Sequence, residues 1–401
     1  MDTLSAILSP VSQPQSFAVE VSFVMPCLNE ARTLPACIAK AFEAISAHKL
    51  SAEIVVADNG STDDSRAIAE RLGARVVPIA LKGYGAALLG GIQAARGNFV
   101  IMADADGSYD FSAVHPFIEH LRNGADLVMG CRLPAGGGTI MAGAMPWKHR
   151  WIGNPILSAF GRRLFRAPVT DFHSGLRAFR RDFILQLNLR TTGMEFASEM
   201  VIKSALRGGR IEQVPITLYK DGRDRPPHLR SWRDGWRHLR FMMLMTPRWL
   251  FLVPGVTLFV SGAIVAAMLV PGPVYVGRAG FDTSTLLIAC MVLLLGFQII
   301  VYALFSRIFA ITEGLLPSDP ELDKASRFVT LEGGLIAGAA FALGGFVLLV
   351  YATLIWRQHG YGPIDYSSNQ RVVIPAVTSI ILGIQLIFSS FFLSILGMSR
   401  R

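Results

Sequence analysis

The sequence predicts an α/β domain with a mostly parallel sheet and helices on both faces, followed by an all-α domain of four transmembrane helices. Strand and helix patterns alternate between about residues 20 and 130, as parallel βα units require. After about residue 249, apolar runs exceed the roughly 18 residues that indicate a spanning helix. The 401-residue chain is 52% hydrophobic and only 17% charged, which is too apolar for an ordinary soluble protein.

The alternating elements can be placed along the N-terminal part of the chain. Strands are predicted at 21–26, 53–58, 75–79, 98–103 and 126–130, and helices at 34–47, 83–95 and 112–122, with a further helix ending near Arg71. No G-x-G-x-x-G follows the first strand, so the fingerprint of a dinucleotide-binding fold is absent. Residues 20–230 are predicted to form one domain, after a disordered lead at 1–19 that does not resemble a signal peptide.

Four spanning segments are predicted near 249–271, 285–310, 335–356 and 372–397 within a membrane domain at 249–401. The formal net charge of +9 lies almost entirely before them, and Lys324, Arg327 and the terminal Arg400-Arg401 are also basic. Because cytoplasmic segments of membrane proteins are enriched in Lys and Arg, the N-terminal domain is predicted to face the cytosol from a plasma or inner membrane. The four cysteines form no C-x-x-C pair, which fits a reducing compartment.

Two basic amphipathic helices are predicted beside the membrane. In the first, Ile156 and Phe160 recur at helical spacing, with Arg162 and Arg163 beside them. The second, at 231–248, has a stripe of tryptophans next to a stripe of arginines. Such a helix can lie in the headgroup layer, where its arginines are available to lipid phosphate, or it can be an ordinary surface helix.

The membrane segments contain an internal repeat. Leu295-Gly296-Phe297-Gln298 recurs as Leu382-Gly383-Ile384-Gln385, which predicts two tandem helical hairpins, unless the match between two apolar sequences is due to chance. The glutamine in each second helix is predicted to hydrogen bond across helices. No predicted segment carries a central carboxylate or lysine. We therefore expect this domain to anchor the protein and to assemble subunits, with a homo-oligomer as one outcome.

Two aspartates follow the fourth predicted strand. Asp104 and Asp106 end a buried type of strand, and residues i and i+2 of an extended chain lie on one side. They can therefore hold one small, hard cation, and Mg²⁺ or Mn²⁺ favours oxygen ligands and often shares a site with substrate phosphates. Solvated turn chemistry explains an isolated D-x-D sequence equally well, so its neighbours decide.

Polar residues follow the other predicted strands as well. These residues are Pro26, Asn29, Glu30, Asp58, Gly60, Ser61 and Lys82. Because parallel strands end at one edge of a sheet, we expect these residues to converge on one cleft. Carboxylates can accept bonds from a base N–H and from ribose hydroxyls, a metal held by the D-x-D pair can bridge a diphosphate, and Lys82 can balance phosphate charge. The set predicts a site for a nucleoside diphosphate.

Four segments, VMPCLNE, VVADNGSTDDS, LKGYGAAL and MADADGSYDF, resemble in order the motifs of family-2 glycosyltransferases with the Rossmann-like GT-A fold. The resemblance is strongest to the dolichyl- and undecaprenyl-phosphate sugar synthases and covers residues 20–245. It implies transfer of a sugar from a nucleotide sugar to a polyprenyl phosphate, with Mg²⁺ or Mn²⁺ as cofactor. By motif position, Glu30 and Asp58 would hold the nucleoside, and Asp104 and Asp106 the metal and diphosphate.

Three further segments resemble motifs of the same family. GCR, which ends in Arg132, resembles the short motif before the acceptor region and implies a catalytic role for that arginine. DFHSGLRAFRR resembles the family's D-x-x-S/T-G-F/L-R segment, and MEFASEM resembles the segment that carries an acidic residue near the reacting centre. The second of these implies that Glu199 orients the acceptor or the sugar, with Glu195 and Asp171 as alternatives. A helix-surface or capping role is the structural alternative for all three carboxylates.

One segment departs from the family pattern. Where such synthases carry a G-x-S-K-like segment before the membrane, this chain has GRDRPPHLRS. Arg225, His228 and Arg230 can bind diphosphate or lipid phosphate in its place, since arginine pairs with phosphate through two parallel bonds. A plain basic linker before the membrane is the alternative.

Taken with the resemblance, the sequence predicts a membrane-bound, inverting glycosyltransferase. Its expected partners are a nucleotide sugar, a polyprenyl phosphate and the lipid bilayer, with no nucleic acid, and UDP-glucose and GDP-mannose are the favoured donors. One alternative is a processive polysaccharide synthase of the same fold, although its Q-x-x-R-W-type motif is absent. The other is a lipid or sugar transporter regulated by a nucleotide, for which the two aspartates would have no evident use.

Overall fold

A computed structural model describes residues 19–223, 231–316, 330–363 and 365–398. All but the last residue of the lead predicted at 1–19 lies outside these ranges. Contacts divide the described chain into two compact units, one ending at Phe241 and the other beginning at Met242. Each unit is described by itself.

The N-terminal unit is built on a seven-stranded, mostly parallel sheet, which confirms the predicted fold class. Its strands are β1 (Val21–Cys27), β2 (Ala52–Asp58), β3 (Arg75–Pro78), β4 (Phe99–Met102), β5 (Leu127–Cys131), β7 (Arg177–Arg180) and β8 (Ile211–Pro215), while β6 (Thr139–Ile140) and β9 (Thr217–Leu218) form a separate parallel pair. The strand order is β3-β2-β1-β4-β7-β5-β8. Only β7 runs antiparallel to its neighbours in this sheet, a direction that the sequence pattern does not reveal.

Helices cover both faces of the sheet. They are α1 (Leu34–Ala47), α2 (Ser65–Arg71), α3 (Tyr84–Ala94), α4 (His115–Arg122), α5 (Asn154–Phe165), α6 (Arg181–Gln186) and α7 (Phe196–Leu206). On one face, α1 and α4 share a buried apolar cluster with Phe23 of β1. On the other, Gly91 of α3 lies against Val24, the next residue of β1, whose side chain points the opposite way because side chains alternate along a strand.

The second unit contains four helices that are long and apolar enough to cross a membrane. The boundary between the units falls within α8 (Ser231–Leu244). After it come α9 (Val253–Leu269), α10 (Thr283–Thr312), α11 (Leu331–Gln358) and α12 (Tyr366–Met398), with a short hairpin of β10 (Val274–Val276) and β11 (Ala279–Phe281). The candidate spans are Arg248–Leu269, Thr283–Thr312, Leu331–Gln358 and Tyr366–Leu396. They agree with the four predicted segments, and the last three extend further than predicted.

The helices pair as α9 with α10 and α11 with α12, and both pairs meet at glycines. A Cβ at Gly262 of α9 would lie 2.7 Å from the carbonyl oxygen of Ala289, and a Cβ at Gly345 of α11 would lie 2.5 Å from that of Ala376. Side chains at these positions would therefore push the paired helices apart.

The second helices of the two pairs, α10 and α12, meet through the predicted glutamines. Gln385 Nε2 donates a hydrogen bond to Gln298 Oε1 at 3.1 Å. The predicted bond across helices is therefore confirmed. The bond gives one polar atom of each glutamine a partner that lipid could not provide.

Candidate active site

The ends of four parallel strands lie side by side at one edge of the sheet, because β3, β2, β1 and β4 are neighbours in that order. Pro26 lies near the end of β1, opposite Ala57 of β2. The turn after β1 is tied to the turn after β2, since Asn29 N donates to Ser61 Oγ at 2.9 Å. It is tied to the turn after β4 as well, since Thr33 Oγ1 donates to the Ala105 carbonyl oxygen at 2.7 Å.

Asp58 is fully buried at the end of β2, and the protein itself engages its carboxylate. It accepts hydrogen bonds from Gly60 N at 3.0 Å, Ser61 N at 3.1 Å and Arg66 Nε at 2.6 Å. Burial alone would raise the pKa of Asp58, but the bonds from Ser61 and Arg66 hold it below its usual range. Asp58 thus shapes the turn that follows β2 and stays ionised there.

Lys82 lies over the same turn. Its Nζ donates to the Asn59 carbonyl oxygen at 2.7 Å. Gly60 has a φ of +90°, so the turn beneath the lysine favours glycine. The lysine ammonium is therefore held at the shared edge of the sheet, as the sequence predicts.

Asp104 and Asp106 lie at the end of β4, close enough to influence each other. Burial and the charge of Asp106 raise the pKa of Asp104 to about 6. Asp106 is buried, and its Oδ1 accepts bonds from Ser108 N at 2.9 Å and Ser108 Oγ at 2.5 Å. Two neighbouring carboxylates, one buried and the other partly buried, fit a divalent cation, whose charge would relieve their repulsion.

Within the described part of the chain, the aspartate pair does not belong to a larger metal-ligating cluster. Among the described residues, no group of three or more His, Cys, Asp or Glu side chains could hold a metal ion. Mg²⁺ is commonly held by one or two carboxylates together with substrate phosphates and water. The pair therefore fits a cation that binds together with a diphosphate.

An arginine that the sequence analysis did not select bridges two of these strand ends. Arg223 Nη2 lies 2.7 Å from Glu30 Oε1, and its Nε donates to the same oxygen at 2.9 Å. Its Nη1 lies 3.1 Å from Asp106 Oδ2. Carboxylates that follow β1 and β4 therefore meet at one guanidinium. Arg223 belongs to the basic segment GRDRPPHLRS, from which the sequence analysis selected only Arg225, His228 and Arg230.

Arg132 lies at the end of β5, in a buried ion pair with Asp171. Its Nε donates to Asp171 Oδ2 at 2.7 Å and its Nη2 to Asp171 Oδ1 at 2.9 Å. Burial would raise the pKa of Asp171, but the charge of Arg132 outweighs it and holds that pKa below its usual range. Tyr109 Oη, 3.5 Å from Arg132 Nη1, accepts a bond from Gly175 N at 2.8 Å. The pair thus joins β5 to the loops around residues 109 and 175.

Glu199 is buried in α7 and fully engaged by the protein. Its carboxylate accepts bonds from Arg190 N at 3.0 Å and Thr191 N at 2.8 Å, and it lies 2.7 Å from Lys203 Nζ. Both backbone donors lie in the loop before α7, so these bonds stabilise that loop and are not a helix cap. A role of Glu199 toward the acceptor or the sugar stays a prediction.

Of the residues predicted to bind lipid phosphate, the structure describes only two. Arg162 and Arg163 are exposed on α5, and Arg225, His228 and Arg230 lie outside the described residues. Before α5, Trp147 and Trp151 are 62% and 66% exposed.

Each of these tryptophans has a basic neighbour over its ring, Lys148 at 5.8 Å and Arg150 at 5.3 Å from the ring centroid. Sequence reasoning missed these tryptophans, although the W-K-H-R-W segment carries the signal.

Comparison with known protein families finds matches at both ends of the chain. Residues 22–187 match the glycosyl transferase family 2 profile, and residues 304–397 match the glycosyltransferase family 2 C-terminal transmembrane region. A low-salt glycan biosynthesis hexosyltransferase, Agl6 of Haloferax volcanii, is 35% identical over 389 residues, which cover 96% of this chain and 91% of the relative. A dolichyl-phosphate hexose transferase of the same organism is 33% identical over 166 residues, covering 41% of this chain and 69% of the relative.

Solved structures with a similar fold include glucosyl-3-phosphoglycerate synthase from Mycobacterium tuberculosis in complex with Mn²⁺, UDP and glucosyl-3-phosphoglycerate. That chain is 24% identical, with a TM-score of 0.44, over 56% of this chain and 78% of the synthase.

Proposed function

This chain belongs to glycosyltransferase family 2, and we propose that it transfers one hexose from a nucleoside-diphosphate sugar to a polyprenyl phosphate in a membrane. The observation that carries the proposal is the meeting of Glu30 and Asp106 at one guanidinium. Acids from the ends of β1 and β4 thereby border one cleft, with Lys82 at the same sheet edge. A donor with a charged diphosphate suits this mixture of acids and bases.

The side chains divide the work of binding the donor. Glu30 holds the nucleoside together with the turn after β2, whose backbone is ordered by hydrogen bonds to Asp58. Lys82 balances phosphate charge. Asp104 and Asp106 would hold Mg²⁺ or Mn²⁺, and the bound ion would neutralise charge on the departing diphosphate.

The acceptor needs alignment more than activation. The second pKa of a phosphate monoester is about 6, so most of it is dianionic at neutral pH. Its oxygen attacks the anomeric carbon from the side opposite the diphosphate. The new C–O bond forms as the bond to the diphosphate oxygen breaks, and the configuration inverts. No side chain has to act as a strong base, which is consistent with the engagement of Glu199 by its own loop.

A lipid acceptor is supported by the surface around α5. Exposed Trp147 and Trp151 stand beside Lys148 and Arg150, a combination that suits the headgroup layer. The four apolar helices keep the enzyme in the membrane. By the distribution of basic residues the catalytic domain faces the cytosol. UDP-glucose and GDP-mannose are the donors we favour, and both can be tested directly.

The test is an assay of detergent-purified protein with labelled UDP- and GDP-sugars and undecaprenyl phosphate. A lipid-phase product with one sugar supports the proposal, a polymer supports a processive synthase, and no turnover with any donor supports a nucleotide-regulated transporter. Asp106→Ala should lower the rate about 100-fold or more, since it removes a ligand of the ion that would neutralise charge on the departing diphosphate. Asp182→Ala, at an exposed carboxylate on α6, is the matched control. Normal, metal-independent turnover by Asp106→Ala would contradict the site assignment.

A further inference from the structure

Arg223 lies among the acidic residues that follow β1 and β4. Its side chain is only 16% exposed and contacts two buried carboxylates, those of Glu30 and Asp106. Its charge also acts on Asp104, since it opposes the rise in pKa that burial and Asp106 cause there. One guanidinium therefore neutralises much of an acidic cluster formed by the ends of two strands.

The backbone holds this arginine in place. Tyr219 N donates to the Ser108 carbonyl oxygen at 3.0 Å, and Gly222 N donates to that of Asp106 at 2.9 Å. A Cβ on Gly222 would lie 2.9 Å from the Thr33 methyl group, so glycine allows this close approach. Arg223, the next residue, is thereby positioned beside the turn that carries Asp104 and Asp106.

Both oxygens of Asp106 are already engaged. Oδ1 accepts the two bonds from Ser108, and Oδ2 faces Arg223 Nη1 at 3.1 Å. A Mg²⁺ ion sits about 2.1 Å from its oxygen ligands. An ion on Oδ2 would therefore lie within contact distance of the guanidinium, and two cations cannot share that position without strong repulsion.

We propose that Arg223 is the counter-ion of the acidic cluster in the absence of donor, and that it competes with the divalent cation for Asp106. The inference rests on the proposed function, because it concerns the same metal and diphosphate. Arg223 has two close nitrogens on Glu30 and one on Asp106, so Nη1 can leave Asp106 while the contact with Glu30 persists. The diphosphate of the donor gives Nη1 a new partner. Metal alone therefore binds weakly, and metal and nucleotide strengthen each other's binding.

The experiment measures Mn²⁺ affinity of the detergent-purified full chain from the electron paramagnetic resonance signal of free Mn²⁺, with and without UDP or GDP. Arg223→Gln should bind Mn²⁺ without nucleotide about tenfold more tightly than the natural protein. The gain in affinity caused by nucleotide should shrink. Arg122→Gln, which breaks the surface ion pair with Glu20, removes the same charge far along the chain and should change neither value.

Arg223→Lys covers the case in which the glutamine variant does not fold, because it keeps the charge but has one nitrogen in place of the three that contact Glu30 and Asp106. It should bind Mn²⁺ alone with an affinity between those of the other two proteins. Equal Mn²⁺ affinity of the natural protein and a folded Arg223 variant, with nucleotide-dependent binding intact, would overturn the inference and leave the proposed function standing. Failure of every protein to bind Mn²⁺ with either nucleotide would overturn the metal assignment and the inference together.

Discussion

Different kinds of contact stabilise the interior of each of the two units of this protein. In the N-terminal unit, the strand ends are joined by charged groups, such as Arg223 between Glu30 and Asp106 and the buried pair of Arg132 and Asp171. In the membrane unit, paired helices meet where glycine leaves room for the opposite backbone. An ion pair depends on the charges of two particular side chains, whereas the packing of two helices depends on the shape of their surfaces. Mutations should therefore act through uncompensated charge in the first unit and through steric overlap in the second.

The largest effect on stability is expected from the buried ion pair. Asp171→Asn leaves the Arg132 guanidinium without its counter-ion in a site from which water is excluded, and this should cost about 3–5 kcal/mol of unfolding free energy. Glu20→Gln, at the exposed pair with Arg122, should cost less than about 1 kcal/mol. Thermal unfolding of the detergent-purified proteins measures both. Equal losses would show that burial does not distinguish the two pairs.

The next largest loss of stability is expected from steric overlap in the membrane unit. Gly345→Val places side-chain atoms against α12, where even a Cβ would lie 2.5 Å from a carbonyl oxygen, and should cost about 1–3 kcal/mol. Gly344→Val changes the adjacent residue of the same helix, whose Cβ would meet nothing within 4 Å. The melting temperature and the fraction of monodisperse protein should fall only for Gly345→Val. A similar loss for both variants would mean that helix propensity, not packing, sets the effect.

The stability of the N-terminal unit should also depend on pH, through the buried His173. Burial, and then the neighbouring His238 ring, hold the pKa of His173 well below its usual range. The unfolded chain takes up a proton near pH 6.5 and the folded protein does not, so stability falls as the pH drops below 6.5. Between pH 6.5 and 5.5 the loss should be about 1 kcal/mol. Melting curves of His173→Asn should be flatter over this range, whereas His359→Asn, at an exposed position, should match the natural protein.

The smallest effect is expected from the glutamine pair of the membrane unit. Gln385→Leu and Gln298→Leu should each cost about 0.6 kcal/mol, the average for hydrogen bonds between membrane helices. The double variant should cost no more than either single one, because all three lack the same bond. Additive losses in a double-mutant cycle would show that each glutamine is stabilised by a different group.

The sequence was sufficient to predict that the strand ends converge. Parallel strands must end at one edge of a sheet, so the order of the motifs around Glu30, Asp58, Lys82 and Asp106 along the chain assigns them to one region. The direction of β7 could not be predicted, because apolar patterns mark a strand without giving its orientation. The spanning helices were predictable from length and composition alone.

The partners of individual charges were not predictable from the sequence. Arg223 and Glu30 are 193 residues apart, and no periodicity links them. Asp58 and Glu199 were predicted to contact substrates because of their motif positions, yet both are engaged by nearby backbone N–H groups. A motif identifies which carboxylates matter. Only the fold shows which of their oxygens remain available.

The contact between α10 and α12 has one more consequence. Gln298 meets Gln385, and the rings of Phe305 and Phe392 lie 4.6 Å apart. Each glutamine follows the repeated glycine of its own helix by two residues, and each phenylalanine follows it by nine. Like positions touch like positions, which is the signature of a two-fold axis. We expect such contacts where a two-helix subunit has been duplicated and joined into a single polypeptide.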